Sequence, residues 1–223
     1  AHKIGVPLLL LLLSPLLLII APFFALRLRM LERSDPELFI RPDRTHIQTL
    51  SAQEDWDVTN QYSVFGDVKP GIFRRLTFEF ILLLTDYAAR HVYNHGFLAR
   101  IKSIHFARWV FLDNERRAFF ASNYDGSHES YMDDFINKAG WGLNLTFSCA
   151  VGYPTTRWFI KEGAAREQAF KYTQRRHQIP TEVWYKAYPD LTATDLARNS
   201  RIRQGVETRP ASDAKMREWL SLI

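Results

Sequence analysis

Residues 4–26, IGVPLLLLLLSPLLLIIAPFFAL, run for 23 residues without a charge. As a helix this run spans ~35 Å, enough for the hydrocarbon core of a bilayer. Pro7, Pro15 and Pro22 are poor residues for a water-soluble helix, whereas lipid-spanning helices tolerate them. The run is longer than the apolar core of a signal peptide, and no small-x-small cleavage site follows it, so a retained span is expected. Arg27, Arg29 and Arg33 follow the run, and Lys3 precedes it. By the positive-inside rule the rest of the chain then lies in the cytoplasm, as the soluble part of a single-pass inner-membrane protein.

The remaining chain is long enough for one domain with a core. Hydrophobic residues make up 47% of the whole, which excludes a disordered chain. A single cysteine, Cys149, excludes an internal disulfide and fits a reducing compartment. The net charge of +5 resides in the last third, where residues 157–223 hold 13 basic and 8 acidic side chains. Such a surface suits anionic lipid headgroups, an acidic protein or plain solvent. No nucleic-acid motif accompanies it, so nucleic acid is not an expected partner.

Periodicity divides the chain into an anchor with its basic flank (1–33), a polar tether (34–59), an α+β domain (60–190) and a helical tail (191–223). Residues 61–68 read as a strand, 72–96 as a helix ended by Gly96, and 104–112 with 116–124 as a hairpin around Asp113-Asn114-Glu115. Residues 127–144 read as an amphipathic helix with Tyr131, Phe135 and Ala139 on its inner face, and Asp134–Lys138 form an outer pair. Short strands at 155–160 and 181–188 flank a helix at 164–177, and two tail helices are expected near 192–204 and 212–222. The order from residue 61 to 160 is β-α-β-β-α-β. That is the ferredoxin-like pattern, here followed by an extra α-β unit.

The helix at 72–96 carries Arg75, Glu79, Asp86 and Arg90 within about 60° of one another, and nearly everything else on it is apolar. This predicts a helix buried over most of its circumference, against the domain, a partner or a membrane. Leu83 and Leu84 join the four charges as interface candidates.

The stretch ASNYDGSHESYMDDF (121–135) looks most like a site. Asp125-Gly126 supplies a turn, Ser127 or Asp125 a helix cap, and Glu129 an anion in the first helical turn. Structure alone thus accounts for most of these residues. His105 meets Asp125 only if the hairpin register allows it, and strict alternation sets His105 and Arg108 on opposite faces. His91 and His95, at i,i+4, are the candidates for a metal, without a supporting HExxH pattern.

The run IHFARWVFLDNERRAFFASNYDGSHESYMDDFINKA, with the later YPTTRW and VWYKAYPDLTA, resembles a bacterial family of membrane-anchored proteins over about residues 58–204. The resemblance implies a shared fold and supplies no catalytic residue. At fold level the pattern is also similar to the ferredoxin-like halves of dye-decolourising peroxidases. Their Gly-x-x-Asp-Gly motif uses its aspartate and a nearby arginine for peroxide chemistry at a haem. That similarity implies catalytic candidates in Asp125, with Arg108 and His105 nearby. Here the motif reads Ser122-Asn123-Tyr124-Asp125-Gly126, without its first glycine, and no motif marks a proximal histidine.

The sequence therefore favours a membrane-anchored accessory module without a cofactor. Its expected contacts are membrane lipid and either other subunits of a membrane complex or further copies of itself. A haem-dependent oxidoreductase is the alternative.

Overall fold

The computed structural model of the chain describes residues 2–92, 101–208 and 212–223. The first element, α1 (His2–Ser34), is a continuous helix. Leu11, Leu12, Leu18 and Phe23 stand exposed along it. It is long and apolar enough to cross a membrane, as a single span or a signal anchor.

The last turns of α1 are built into the domain. Glu32 is only 3% exposed. One of its carboxylate oxygens accepts from Phe159 N–H at 2.8 Å and Thr156 Oγ1 at 3.0 Å. The other accepts from Trp158 N–H and Arg29 Nη1, both at 2.9 Å. Trp158 and Phe159 both have φ of 59°, a conformation that disfavours side chains, and Glu32 binds the amides of both. One helical turn further on, Asp35 Oδ2 accepts from Lys69 Nζ at 2.8 Å and Arg74 Nη2 at 2.6 Å. Leu28 is buried in a cluster with Phe78, Ala118, Cys149 and Phe159.

The expected tether at 34–59 lies against the domain. It contains α2 (Arg44–Ser51), capped by the Asp43 carboxylate. Leu50 and Glu54 are buried. His46 Nε2 lies 3.0 Å from the Arg175 carbonyl, and Glu37 pairs with Arg166.

The sheet is antiparallel and three-stranded, in the order β1 (Thr59–Asp67), β3 (Arg117–Asp125), β2 (Ile104–Leu112). Asp113, Asn114 and Glu115 all take positive φ in the β2–β3 turn, a conformation that Asp and Asn tolerate and that Glu115 adopts against its preference. α3 (Ile72–His91) and α4 (His128–Phe147) lie on the face of the sheet that carries Trp109, whose ring meets Phe78 of α3 and Phe147 of α4. Phe78 of α3 packs edge-on against Trp109 and Phe111. Tyr131, Phe135, Ala139, Leu143 and Phe147 of α4 share a core with Tyr62, Val64, Phe120 and Tyr124. Each fully buried ring contributes about 2–3 kcal/mol of apolar burial.

Among the described residues this sheet has no fourth strand, so the architecture is a mixed α+β domain with a small antiparallel sheet. Within 155–160 only β4 (Thr156–Arg157) pairs, with β5 (Lys161–Glu162). Trp158 and Phe159 turn away because Glu32 takes their N–H groups. The expected strand at 181–188 is also not formed, and Val183 and Tyr185 are 89% and 87% exposed. The free edge of β1 is met by the Val64–Gln178 bridge, by Ile179 N–H donating to Ser63 O at 2.9 Å and, at its end, by Val151 N–H donating to Asp67 O at 2.8 Å. Pro180, which follows, has no N–H to extend the ladder. α5 (Glu167–His177), α6 (Ala193–Thr208) and α7 (Asp213–Leu220) complete the chain. The last two buttress each other through Trp219 Nε1 donating to Ile202 O at 2.9 Å.

Candidate functional site

The 121–135 stretch is the end of β3, a turn and the start of α4. Gly126 makes the turn at φ +80°, and its N–H donates to Val58 O at 3.0 Å. Ser127 caps α4 by accepting from Ser130 N–H. Asp125 therefore does not cap α4. Its role was set by an irregularity that alternation does not foresee.

The β2–β3 register shifts between Ile104 and Phe106, so His105 is the extra residue of a bulge. Ile104, Ala107 and Trp109 pack on the core, while His105 is freed to reach the neighbouring strand. Its Nε2 lies 2.5 Å from Asp125 Oδ1. Asp125 Oδ2 accepts from Ala193 N–H, the first residue of α6, at 2.7 Å. Thr192 and Asp195 complete that helix start by reciprocal hydrogen bonds. Hydrogen bonds from Thr192 hold the Asp195 carboxyl below the usual range. Asp125 is thus a clip joining a bulge on β2, the end of β3 and the N-terminus of α6, where the helix dipole favours a carboxylate. Arg108, the third catalytic candidate, is exposed and takes no part in the pair.

Behind β3 lies a buried aromatic cluster. Tyr124 stacks on Tyr131 with ring centroids 4.1 Å apart, and Tyr131 Oη lies 2.5 Å from Ser122 Oγ. Tyr62 donates to Gln174 Oε1 at 2.6 Å. His128, 1% exposed, lies with its ring 5.7 Å from that of Tyr62. Neither of its ring nitrogens has a hydrogen-bond partner among the described residues. Burial, then the positive charges of Arg175 and Lys171, pushes His128 down to about 3, so the ring is neutral at physiological pH. Burial also pushes the Tyr62, Tyr124 and Tyr131 hydroxyls up. Arg175 Nη1 donates to both Glu54 oxygens at 2.7 Å, and Gln178 Nε2 donates to Glu54 Oε1 at 2.6 Å. His128 and these polar partners were not singled out from sequence. His128 sits three residues before Tyr131 and four before Met132, so the helical spacing alone assigns it to the inner face.

The acids of α4 are matched by a lysine rather than set for a metal. Lys171 of α5 contacts Glu129 at 3.2 Å, Asp133 at 2.7 Å and Glu167 at 2.8 Å. Burial lowers its affinity for a proton, but the three carboxylates outweigh burial and hold it above the ordinary lysine value. Asp134 pairs with Lys138 as expected. Among the described residues no group of three or more His, Cys, Asp or Glu is set to hold a metal. His91 ends α3 with its ring 4.6 Å from that of Tyr87, and His95 lies outside the described residues.

Within the chain, the domain covers only one side of α3. Arg74, Thr77, Phe78 and Ile81 face inward. Leu83 and Leu84 are 65% and 49% exposed, and Ile72, Leu76 and Phe80 are exposed with them. The charged arc is paired within the chain: Arg75 with Glu79 and Glu115, and Asp86 with Arg90.

A groove of about 450 Å³ lies between α4 and the β4–β5 turn, lined by Asn137, Trp141, Asn144, Ile160, Glu162 and Glu167 among others. An apolar void of about 20 Å³, room for one water, lies near Trp109, Phe147 and His177. Asp125, His105 and Arg108 line neither hollow. Both Asp125 oxygens are engaged, by His105 and by Ala193 N–H, and Arg108 is exposed to solvent.

The chain matches no family model, no curated protein and no solved structure.

Proposed function

We propose that the chain is a membrane-anchored accessory module of a larger membrane assembly, with its domain on the cytoplasmic face of the inner membrane. The observation that carries this reading is the clamp at the end of α1. Glu32 and Asp35 tie the exposed apolar helix to β4, to the turn after it and to α3, so the helix is joined to the domain by buried hydrogen bonds and not by a free linker. A helix that only tethered an independent catalytic domain would need no such joint. The arginines at its domain end support the cytoplasmic orientation.

The outward arc of α3, with Arg75, Glu79, Asp86 and Arg90, is the surface offered to a protein partner. The partner is another subunit or a second copy. In this reading the stretch at 121–135 is structural: Asp125 clips β2 and α6 to β3, and Ser127 caps α4.

A photoreactive residue placed at Glu79 or Asp86 in native membranes tests the reading. We expect an adduct of defined mass at both positions, and none at Arg108. Adducts at neither position would overturn it. External protease on intact spheroplasts tests the orientation: the domain should survive, and its loss would reverse the topology.

A further inference from the structure

We propose that the apolar half of α3 lies in the interfacial zone of the bilayer, so that the chain contacts lipid along two helices. This rests on the reading of α1 as a span. Phe24 belongs to the last turn of the uncharged run, at the edge of the hydrocarbon. Its ring lies 5.0 Å from that of Phe73, the second residue of α3. The first turn of α3 is therefore at the same depth as the end of the hydrocarbon core.

The exposed face of α3 is matched to that depth. At 100° per residue, Ile72, Leu83, Leu76, Phe80 and Leu84 fill an arc of about 120°, and Phe73 falls within it. The apolar arc thus points to the side on which α1 stands. The domain takes the opposite side through Arg74, Thr77, Phe78 and Ile81. The charged arc, with Arg75, Glu79, Asp86 and Arg90, adjoins the apolar one, as in helices that lie at the headgroup level. Five large apolar side chains contiguous along one helix are also unusual on a surface that meets only water. Continuity with the span selects lipid as the occupant over a second copy of the chain.

The test uses the full chain in phosphatidylcholine–phosphatidylglycerol vesicles containing nitroxide-labelled lipid. Single cysteines replace Phe80 (Phe80→Cys), Leu83 (Leu83→Cys), Asp86 (Asp86→Cys) and Leu17 (Leu17→Cys), each labelled with an environment-sensitive fluorophore. The native Cys149 is fully buried and its thiol is pushed up to about 11, so labelling goes to the introduced thiol. Positions 80 and 83 should be quenched more by shallow than by deep nitroxides, position 86 less than either, and position 17 mainly by deep ones. Quenching at 17 with none at 80 and 83 would overturn the proposal and leave the span intact. A blue shift at 80 and 83 without quenching would assign the face to protein and also overturn it. Equal quenching at 80, 83 and 86 would refute the assignment of faces. No quenching at 17 would remove the span itself.

Discussion

His128 makes folding sensitive to acid by an amount that can be worked out. The ring is buried against Tyr62, with Arg175 and Lys171 as the charges acting on it and no acceptor for a second proton. Its folded value is depressed from 6.5 to about 3. In the unfolded chain it titrates normally, so as pH falls below 6.5 the unfolded state gains a proton that the folded state refuses. Stability is therefore fully present above pH 6.5 and is lost as pH falls toward 3. The slope is about 1.4 kcal/mol per pH unit, so about 2 kcal/mol is gone at pH 5. For a chain of this size that lowers the melting temperature by about 4–8 °C. His128→Leu keeps the volume and removes the titration, and should change stability at pH 7.5 by less than about 1.5 kcal/mol. Thermal melts of the full chain in detergent at pH 7.5 and pH 5 compare the two. Burial also lowers His177, and its contribution persists in both proteins, so the difference between them isolates His128. An equal acid shift in wild type and His128→Leu would refute the reasoning.

Three further substitutions probe the joints. Asp125→Asn keeps an acceptor for Ala193 and a partner for His105, and should cost less than about 1 kcal/mol. Asp125→Ala loses both bonds and should cost about 2–4 kcal/mol, with faster proteolysis ahead of α6 as the readout. Glu32→Ala leaves three buried donors and Arg29 without their carboxylate and should cost about 3–5 kcal/mol. A broadened distance distribution between spin labels at Met30 and Lys161 would report the loosened joint. Asn144→Leu strands Ala164 N–H, Tyr153 Oη and the carbonyls of Ile160 and Glu162, and denaturant melts should show a loss of about 3–5 kcal/mol.

Local pattern carried most of the secondary structure. Apolar alternation gave β1 and the β2–β3 hairpin, and the 3.6-residue period gave the start of α3, and α4, α5 and the two tail helices within a few residues of their ends, while the expected stop of α3 at Gly96 lies outside the described residues. Long-range bonds account for the misses. The segment 34–59 is polar and aperiodic, so nothing local shows that Glu54 is held by Arg175 and Gln178, over 120 residues away. Residues 155–160 and 181–188 have strand composition. The first is bent by a carboxylate on α1, and the second leaves the edge of β1 after Ile179, where Pro180 has no N–H to continue the ladder. The bulge at His105 reverses the face assigned by alternation and brings it to Asp125, which no reading of β2 alone provides. Likewise, the composition of α3 showed that it must meet something apolar, but only the packing of Phe78 and Ile81 shows which side the domain takes.

The central claim, that this is an accessory module working within a larger membrane assembly, is tested most directly by the mass of the particle it forms. The full chain is released from its own membrane in a mild detergent and weighed by native mass spectrometry, beside the pair-swapped variant Asp86→Lys/Arg90→Glu. That variant retains its i,i+4 ion pair but presents the opposite charge pattern. The account predicts a wild-type particle of defined stoichiometry heavier than the 26.1 kDa chain, and its loss in the variant at unchanged melting temperature. A wild-type particle with the mass of the single chain would contradict it.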